Sequence, residues 1–315
     1  MRKTLGLFAS ILLPFALGAC SRDLPSAPST TAAATSVRPA AGSFESHSRA
    51  RVFTAAGDIT PAVNAFRDAL GTLNANAPGS QPGGRREINW DAVPAQFTNT
   101  NDFPVDFFNQ PAVGRARGTV FSTPGTGFRT SDNNFADVAP TFDGPFNFFS
   151  PIRTFMPVGS NRMTVDFFVP GSTEPAASTG FGVVFSDVDR EGSASIRLFD
   201  AKGRSLGRFE APTAPGGFSF VGVTFPTSVV ARVEIRSGQA AVVTNGLDLA
   251  DLVRISARGH REKDDDDGDD DDHGRRRNPD LVIMDDFIYG EPIAPATATT
   301  ASASVSTGTV RPADR

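Results

Sequence analysis

Short runs of β-favouring residues, separated by clusters of Gly, Pro, Asn and Asp, follow one another from residue 86 to residue 289. Runs of this length, bounded by turn-forming residues, are typical of strands in all-β domains. Helical patterns do not alternate with them, which argues against a parallel sheet built of strand–helix–strand units. The predicted strands cover residues 87–90, 118–122, 162–169, 180–187, 194–199, 205–209, 218–225, 229–236 and 281–289.

Two local patterns and the aromatic content refine this prediction. The apolar and charged residues of RVEIR, at 232–236, alternate strictly, as in a strand with one face in water. The residues DAKG, at 200–203, predict a hairpin turn with Gly203 in the left-handed conformation. The chain has 27 Phe against one Trp and one Tyr, and Phe fills a core without a hydroxyl that needs a buried partner. We therefore predict an all-β fold, a single jelly-roll-like β-sandwich over residues 85–292.

Apolar residues recur at spacings of three and four between Asp58 and Leu73, which predicts one helix before the sandwich. Asp58 is placed to cap this helix, Pro61 lies in its first turn, and Gly71 is placed to end it. We expect the helix and the following turn, residues 58–84, to pack on the sandwich. A partly frayed leader is the alternative.

The first twenty residues predict export. Arg2 and Lys3 precede an apolar stretch at 5–17, and small residues follow it, which is typical of a secretory signal peptide over residues 1–19. The stretch is shorter than the roughly 20 residues that cross a bilayer. The sequence LGAC, at 17–20, resembles the lipobox of bacterial lipoproteins. This resemblance implies cleavage before Cys20, a lipid on its thiol and, since Ser21 follows, an outer-membrane location.

Cys20 is the one cysteine of the chain, so an exported form has no disulfide framework. The alternative is an ordinary secretory signal cut near Ala19, with Cys20 left as an accidental thiol. No second apolar stretch predicts a transmembrane span, so the membrane partner would be reached through the N-terminal lipid.

Three other segments have compositions that predict disorder. Residues 20–57, rich in Ser, Ala, Thr and Pro, predict a flexible tether, and residues 293–315 predict a tail of the same kind. Two blocks of four Asp lie at 264–272 within a predicted loop at 258–279, and like charges favour a solvated loop. The tract does not match an EF-hand, because Gly274 falls where a bidentate Glu belongs. Weak, salt-sensitive cation binding is the alternative.

A resemblance to known modules covers about residues 180–290. The segments at 181–189, 198–203, 220–223 and 283–287 resemble the C-terminal β-sandwich of secreted or surface-anchored bacterial proteins. The closing strand is also similar to that of jelly-roll carbohydrate-binding modules. The resemblance implies a fold more specifically than a ligand.

Two acids, Asp285 and Asp286, interrupt the apolar closing strand. Alternation predicts that they lie on opposite faces, with one pointing inward beside Ile283 and Phe287. A buried carboxylate needs an arginine, backbone donors or a cation. The resemblance implies that Asp285 helps to hold a structural calcium, with Asp91 as its partner, so the candidate metal ligands are Asp285, Asp91 and Asp286. The alternative is that Asp285 pairs with an arginine and Asp286 faces water.

A second acidic group, Asp187, Asp189 and Glu191, lies where a predicted strand ends. These residues could be cation ligands or, as is commoner, solvated turn acids.

The remaining chemistry argues against catalysis. The three histidines, His47, His260 and His273, lie off the predicted strands, which argues against a Ser-His-Asp triad or a His-based zinc site. No glycine-rich phosphate loop is present, and the net charge of −5 argues against nucleic acid as a partner.

We therefore expect a non-catalytic, exported, lipid-anchored protein that binds a glycan or another extracellular or envelope ligand. Sugar rings usually stack on aromatic planes, so Trp90 and Tyr289 are the candidate ligand-binding residues. A purely structural envelope protein and a carboxylate-dependent glycoside hydrolase are the alternatives.

Overall fold

The computed structural model describes residues 50–138, 146–242 and 279–295. Within these ranges the chain forms twelve strands and one α-helix, α1 (Thr60–Leu70). Short 3-10 turns lie at Ala95–Phe97 and Phe107–Asn109. The strands are β1 (Arg51–Ala56), β2 (Arg85–Ile88), β3 (Thr119–Ser122), β4 (Gly127–Ser131), β5 (Thr154–Val158), β6 (Arg162–Phe167), β7 (Gly180–Val188), β8 (Ser195–Phe199), β9 (Ser205–Glu210), β10 (Ala214–Thr224), β11 (Arg232–Arg236) and β12 (Ile283–Gly290).

The strands make two antiparallel sheets. The seven-stranded sheet has the order β1-β10-β7-β12-β5-β4, and β2 pairs with β12. The five-stranded sheet has the order β3-β6-β11-β8-β9. The prediction of an all-β sandwich with one helix is confirmed, and so is the hairpin at 200–203, where Gly203 has φ 72°.

Aromatic rings fill the space between the sheets. Trp90 stacks on Phe155 with the ring centroids 3.8 Å apart. Further phenylalanines meet the Trp90 ring at steep angles, among them Phe103, Phe108 and Phe287. The indole Nε1 of Trp90 donates to the carbonyl oxygen of Asp285 at 2.7 Å, so the polar atom of this buried ring has a partner.

Helix α1 packs on the outer face of the seven-stranded sheet, as its apolar stripe predicts. Gly182 and Gly222 lie opposite each other on β7 and β10, and the Phe66 ring of the helix rests on them. A Cβ at either glycine would come within 2.8 Å of that ring. Asp58 accepts a hydrogen bond from the Thr60 amide at 3.1 Å, and Gly71 follows the last helical residue with φ 99°. This helix is too short to cross a bilayer, and no helix of the described residues could do so.

Three strands were not predicted. The strand β1 lies within residues 20–57, where the composition predicts a flexible tether. Its pairing with β10 and the contact of Phe53 with Phe66, at 5.4 Å between centroids, are tertiary and leave no local pattern. The strands β4 and β5 were not predicted because they contain Gly127 and Pro157, which are residue types typical of turns. The two strands nevertheless pair along their whole length.

A buried ion pair joins β2 to the end of β12. Arg86 and Glu291 are 0% and 1% exposed, and the guanidinium donates to both carboxylate oxygens at 2.7 Å. Arg86 also donates to the carbonyl oxygens of Ala77, Gly79 and Ala116. The Glu291 carboxylate accepts two further hydrogen bonds, from the Asn74 side chain at 2.8 Å and the Gln81 amide at 3.0 Å.

The described chain begins and ends near the same cavity. This cavity, of about 530 Å³, is lined by Arg51 at the start of β1 and by Ile293 beyond β12. Residues 224–228 also line it, next to the bridge between Ser178 and Val230. The cavity therefore marks one end of the sandwich.

Candidate functional site

The carboxyl pair Asp285 and Asp286 lies at a β-bulge. Met284 pairs with Phe185 and Phe287 pairs with Val183, so three steps along β12 match two along β7. An extra residue of this kind breaks the alternation of side chains. The Ser150 hydroxyl is 3.0 Å from Oδ1 of Asp285 and 2.7 Å from Oδ1 of Asp286, so both carboxyls lie on one side of the sheet.

The prediction that the two acids lie on opposite faces is therefore wrong. Phe287 belongs to the core between the sheets, whereas Ile283 packs in a separate cluster, so these two residues do not share a face either. The acids lie instead on the outer side of the seven-stranded sheet, toward helix α1 and the segment at 146–153. Both are buried, with 0% and 2% exposure.

The protein donors around this carboxyl pair leave one hydrogen bond to be made by a proton on the pair itself. Oδ2 of Asp285 accepts from the Phe149 amide at 2.7 Å, and Oδ2 of Asp286 accepts from Arg67 at 3.3 Å. Ser150 has a single hydroxyl proton to share between two carboxyls. Burial raises the pKa of Asp285 well above its ordinary value, and the adjacent Asp286 raises it further. Burial also raises the pKa of Asp286, against the opposing effect of Ser150 and Arg67.

Since the pKa of each carboxyl is raised, the pair favours holding one proton between its two members. The Ser150 hydroxyl lies within hydrogen-bond distance of both. Arg67 also binds Glu87 at 2.9 and 2.8 Å, and Arg85 binds Glu87 at 2.7 Å. Burial alone would raise the pKa of Glu87, but the hydrogen bonds from both arginines outweigh it and the pKa is lowered. The positive charges of Arg67 and Arg85 then balance one negative charge on Glu87 and one on the carboxyl pair. Hydrogen bonds of this network connect α1, β2 and β12.

The third candidate metal ligand, Asp91, binds a neighbouring part of the same segment. Its Oδ1 accepts from the amides of Ile152 and Arg153 at 2.5 and 3.2 Å, and its Oδ2 accepts from Asn89 at 3.1 Å. All six carboxylate oxygens of Asp91, Asp285 and Asp286 therefore lie within hydrogen-bond distance of a protein donor. Across the described ranges, no group of three or more His, Cys, Asp or Glu is placed to hold a metal. The arrangement fits hydrogen bonding to the segment at 149–153 rather than a calcium shell.

The acids Asp187 and Asp189 lie close to Asp280. Asp187 accepts from the Gly216 amide at 2.7 Å, and the Asp189 amide donates to Asp280 at 3.2 Å. Burial raises the pKa of Asp187 and of Asp280, and the neighbouring carboxylates add to the effect in both. The observed role of Asp187 is that of a turn acid that binds backbone.

The two candidate stacking residues, Trp90 and Tyr289, lie in the core. Trp90 is 1% exposed and Tyr289 is fully buried. The Tyr289 hydroxyl donates to the Arg117 carbonyl oxygen at 3.0 Å, and burial raises its pKa well above the usual range. Neither ring presents a face to solvent. Cys20, the lipidation candidate, and the acidic tract at 264–272 lie outside the described residues.

The outer face of the five-stranded sheet carries a charged groove that the sequence reasoning missed. Alternation along β6, β8 and β11 places apolar residues inward and charged residues on this face. A cavity of about 360 Å³ lies on it, which we call the arginine groove; it is lined by Arg162, Arg197, Arg208 and Arg236, with Glu234, Thr164 and Ser195 between them.

The sheet register brings these arginines together. Arg236 on β11 lies directly opposite Arg162 on β6, and Arg197 on β8 lies directly opposite Arg208 on β9. Partial burial lowers the pKa of Arg236, and the nearby charges of Arg162 and Arg208 lower it further. The nearby charge of Glu210 opposes the shift.

Not all of these arginines have an acidic partner. Arg208 pairs with Glu210 at 3.1 Å. Beside the groove, on the same face, Arg232 pairs with Asp166 at 2.7 Å. The salt bridges of the described residues include none to Arg162, Arg197 or Arg236. The only sequence signal was the strict alternation of RVEIR on β11; the other strands each supply a single arginine to the groove, and their register is not visible in the sequence.

Comparisons with known proteins add little. No protein-family model matches the chain, and the comparison with curated proteins found no match. Among solved structures, the chain is similar to the crystal structure of the enzymatically active domain of bacteriophage CBA120 tailspike protein 4. The match has 16% sequence identity and a TM-score of 0.17, and it covers 44% of this chain and 20% of that chain. The chain thus spans about a fifth of the length of that protein, and a likeness this weak carries no argument.

Proposed function

We propose that this chain is an exported, lipid-anchored, non-catalytic module that binds an extracellular or envelope ligand, such as a glycan, on the outer face of the five-stranded sheet. The observation that carries the proposal is the arginine groove. It combines an open cavity of about 360 Å³ with three arginines that lack an acidic partner in the described ranges. In binding sites, polar groups that converge on a cavity fix the orientation of the ligand and provide specificity.

Recognition at this face would depend on charge and hydrogen bonds more than on ring stacking. The aromatic rings that could stack on a sugar, Trp90 and Tyr289, are in the core. Phe199 is half-buried on the groove side, but the Arg197 guanidinium lies over its ring at 4.9 Å. The groove therefore offers guanidinium groups, the Glu234 carboxylate and hydroxyl groups to a ligand.

The carboxyl pair supports a structural role better than hydrolysis. A glycoside hydrolase needs two carboxyls separated by roughly 5 to 10 Å across a cleft that admits the sugar. Asp285 and Asp286 are buried neighbours that share one serine, and their oxygens bind protein donors. This observation favours a non-catalytic module over the hydrolase.

The test is affinity electrophoresis of the full chain through gels that contain soluble polysaccharides, both neutral and acidic. We expect at least one polysaccharide to retard the protein, and Arg197→Glu to abolish the retardation. The Arg51→Glu variant, which changes the charge by the same amount on the other sheet, should still be retarded. Migration that no polysaccharide alters would contradict the proposal and favour a purely structural envelope protein.

A further inference from the structure

We infer that the ligand of the arginine groove is an acidic polysaccharide, and that its carboxylate groups bind Arg162, Arg197 and Arg236. This inference rests on the proposed function, because it names the class of ligand for the same face. It commits to a polymer of sugar acids, rather than to neutral glycans or to polyphosphates.

The charge of the face is opposite to that of the chain. The chain has a net charge of −5, yet the outer face of the five-stranded sheet carries five arginines, at 162, 197, 208, 232 and 236, against three acids, at 166, 210 and 234. Like charges directly opposite each other on neighbouring strands destabilise a sheet. The pairs Arg236–Arg162 and Arg197–Arg208 are two such oppositions. An external anion would relieve the repulsion that these pairs create.

The choice of arginine indicates an anion with paired oxygens. A guanidinium presents a planar fork of donors that matches a carboxylate or a phosphate in two parallel hydrogen bonds, whereas an ammonium acts as a point charge. All the basic residues that line the groove are arginines. The three without an acidic partner lie on the neighbouring strands β6, β11 and β8, spaced about 4.8 Å from strand to strand. Arginines on three neighbouring strands can bind several anionic groups of a polymer that crosses the strands. Their spacing suits such a polymer better than it suits one small anion.

The acceptors in the groove indicate a sugar polymer rather than a polyphosphate. Glu234 lies in the middle strand, opposite Thr164 on one side and Arg197 on the other. Its carboxylate can accept hydrogen bonds from the hydroxyl groups that a sugar acid carries beside each carboxylate, whereas the backbone of double-stranded DNA has no free hydroxyl group to donate. The hydroxyl groups of Thr164 and Ser195 at the groove add donors and acceptors of the kind that polyols bind.

The experiment compares two polymers with one backbone. Polygalacturonate and fully methyl-esterified polygalacturonate differ only at the carboxyl group, which is an anion in the acid and an uncharged methyl ester in the other polymer, and alginate serves as a second acidic probe. The binding of the full chain to each is measured by affinity electrophoresis. We expect at least one of the acids to bind, the ester to bind about tenfold more weakly than the corresponding acid, and double-stranded DNA to bind more weakly than the acid. Raising the NaCl concentration from about 0.1 M to about 1 M shortens the Debye length from about 10 Å to about 3 Å and should weaken the binding.

Matched variants locate the site. Arg197→Gln and Arg236→Gln should each weaken binding to the acid about threefold to tenfold, since each removes one charge-assisted hydrogen-bond donor at a partly exposed site. Arg51→Gln removes the same charge from the other sheet and should change the affinity less than about twofold by the same reasoning. The melting temperature of each variant shows whether it remains folded.

The failure of the inference and the failure of the proposed function give different results. Equal binding of the acid and its ester would overturn the inference while the proposed function stands. Tighter binding of DNA than of the acids, or equal losses for Arg51→Gln and Arg197→Gln, would also overturn it, because the charge would then act without a site. Failure of every polysaccharide, acidic or neutral, to bind would overturn both.

Discussion

The buried pair of Arg86 and Glu291 makes a sharp prediction about stability. In Glu291→Gln the side chain keeps its shape and loses its charge, so Arg86 retains only carbonyl oxygens as acceptors. Because Arg86 is fully buried, water cannot replace the missing carboxylate. Removing one partner of a buried pair costs about 3 to 5 kcal/mol of the free energy of unfolding. The remaining carbonyl acceptors place Glu291→Gln at about the lower end of that range.

The loss is measured by urea denaturation and by the melting temperature of the full chain. For a domain of this size about 1 kcal/mol corresponds to roughly 2 to 4 °C, so a fall of about 6 to 12 °C is expected. The double variant Arg86→Met/Glu291→Met removes both charges, so no lone charge remains in the core. It should lose less stability than the sum of the losses in Arg86→Met and Glu291→Met. A cost below about 1 kcal/mol for Glu291→Gln, or strict additivity in the double variant, would refute the reasoning.

Four further predictions concern the carboxyl pair, the helix and the anchor. Because the folded-state pKa of Asp285 is raised above 3.8, its proton stabilises the fold at acidic pH, and this contribution is lost as the pH rises through the folded-state value. In urea titrations from pH 4 to pH 8, Asp285→Asn should therefore gain stability relative to the natural protein as the pH rises; a constant difference would argue against a protonated Asp285. The variant Gly182→Ala should cost about 1 to 3 kcal/mol, since its Cβ meets the Phe66 ring at 2.8 Å, and a variant as stable as the natural protein would show that the helix lies elsewhere. The calcium prediction requires that a chelator lower the melting temperature and that Asp285→Ala remove this sensitivity, so a melting curve that ignores the chelator would contradict it. For the anchor, Cys20→Ser should move the protein from the membrane fraction to the soluble fraction, and unchanged fractionation would contradict lipidation.

Local patterns predicted most of the fold. The alternation in β11, the turn residues before Gly203 and the helical spacing around Phe66 each act within a few residues, so the sequence alone reveals them. The strands β1, β4 and β5 were not predicted from the sequence because their stability comes from pairing with distant segments. Pro157 lies within β5 and pairs with Phe128, although proline is rare in the interior of a sheet.

The candidate sites were harder to predict because register is a tertiary property. The bulge at Asp285 and Asp286 depends on how β12 pairs with β7, and the two residues alone do not predict it. Trp90 was a candidate because sugar rings usually stack on aromatic planes, yet the same ring is at the centre of the phenylalanine core. The arginine groove assembles single residues from four strands, so only the order of those strands reveals it.

The first and the last described segments lie at the same end of the sandwich, and this position would decide how the domain stands on a support. Arg51 and Ile293 both line the cavity near Val230, whereas Arg236 lies six residues further along the chain, a path of roughly 20 Å toward the opposite pole of the sandwich. A membrane or scaffold attached ahead of Arg51 or behind Ile293 would hold the molecule by its base. The rows of guanidinium groups around Arg236 would then project toward the surrounding medium, where long polymers could approach without meeting the support.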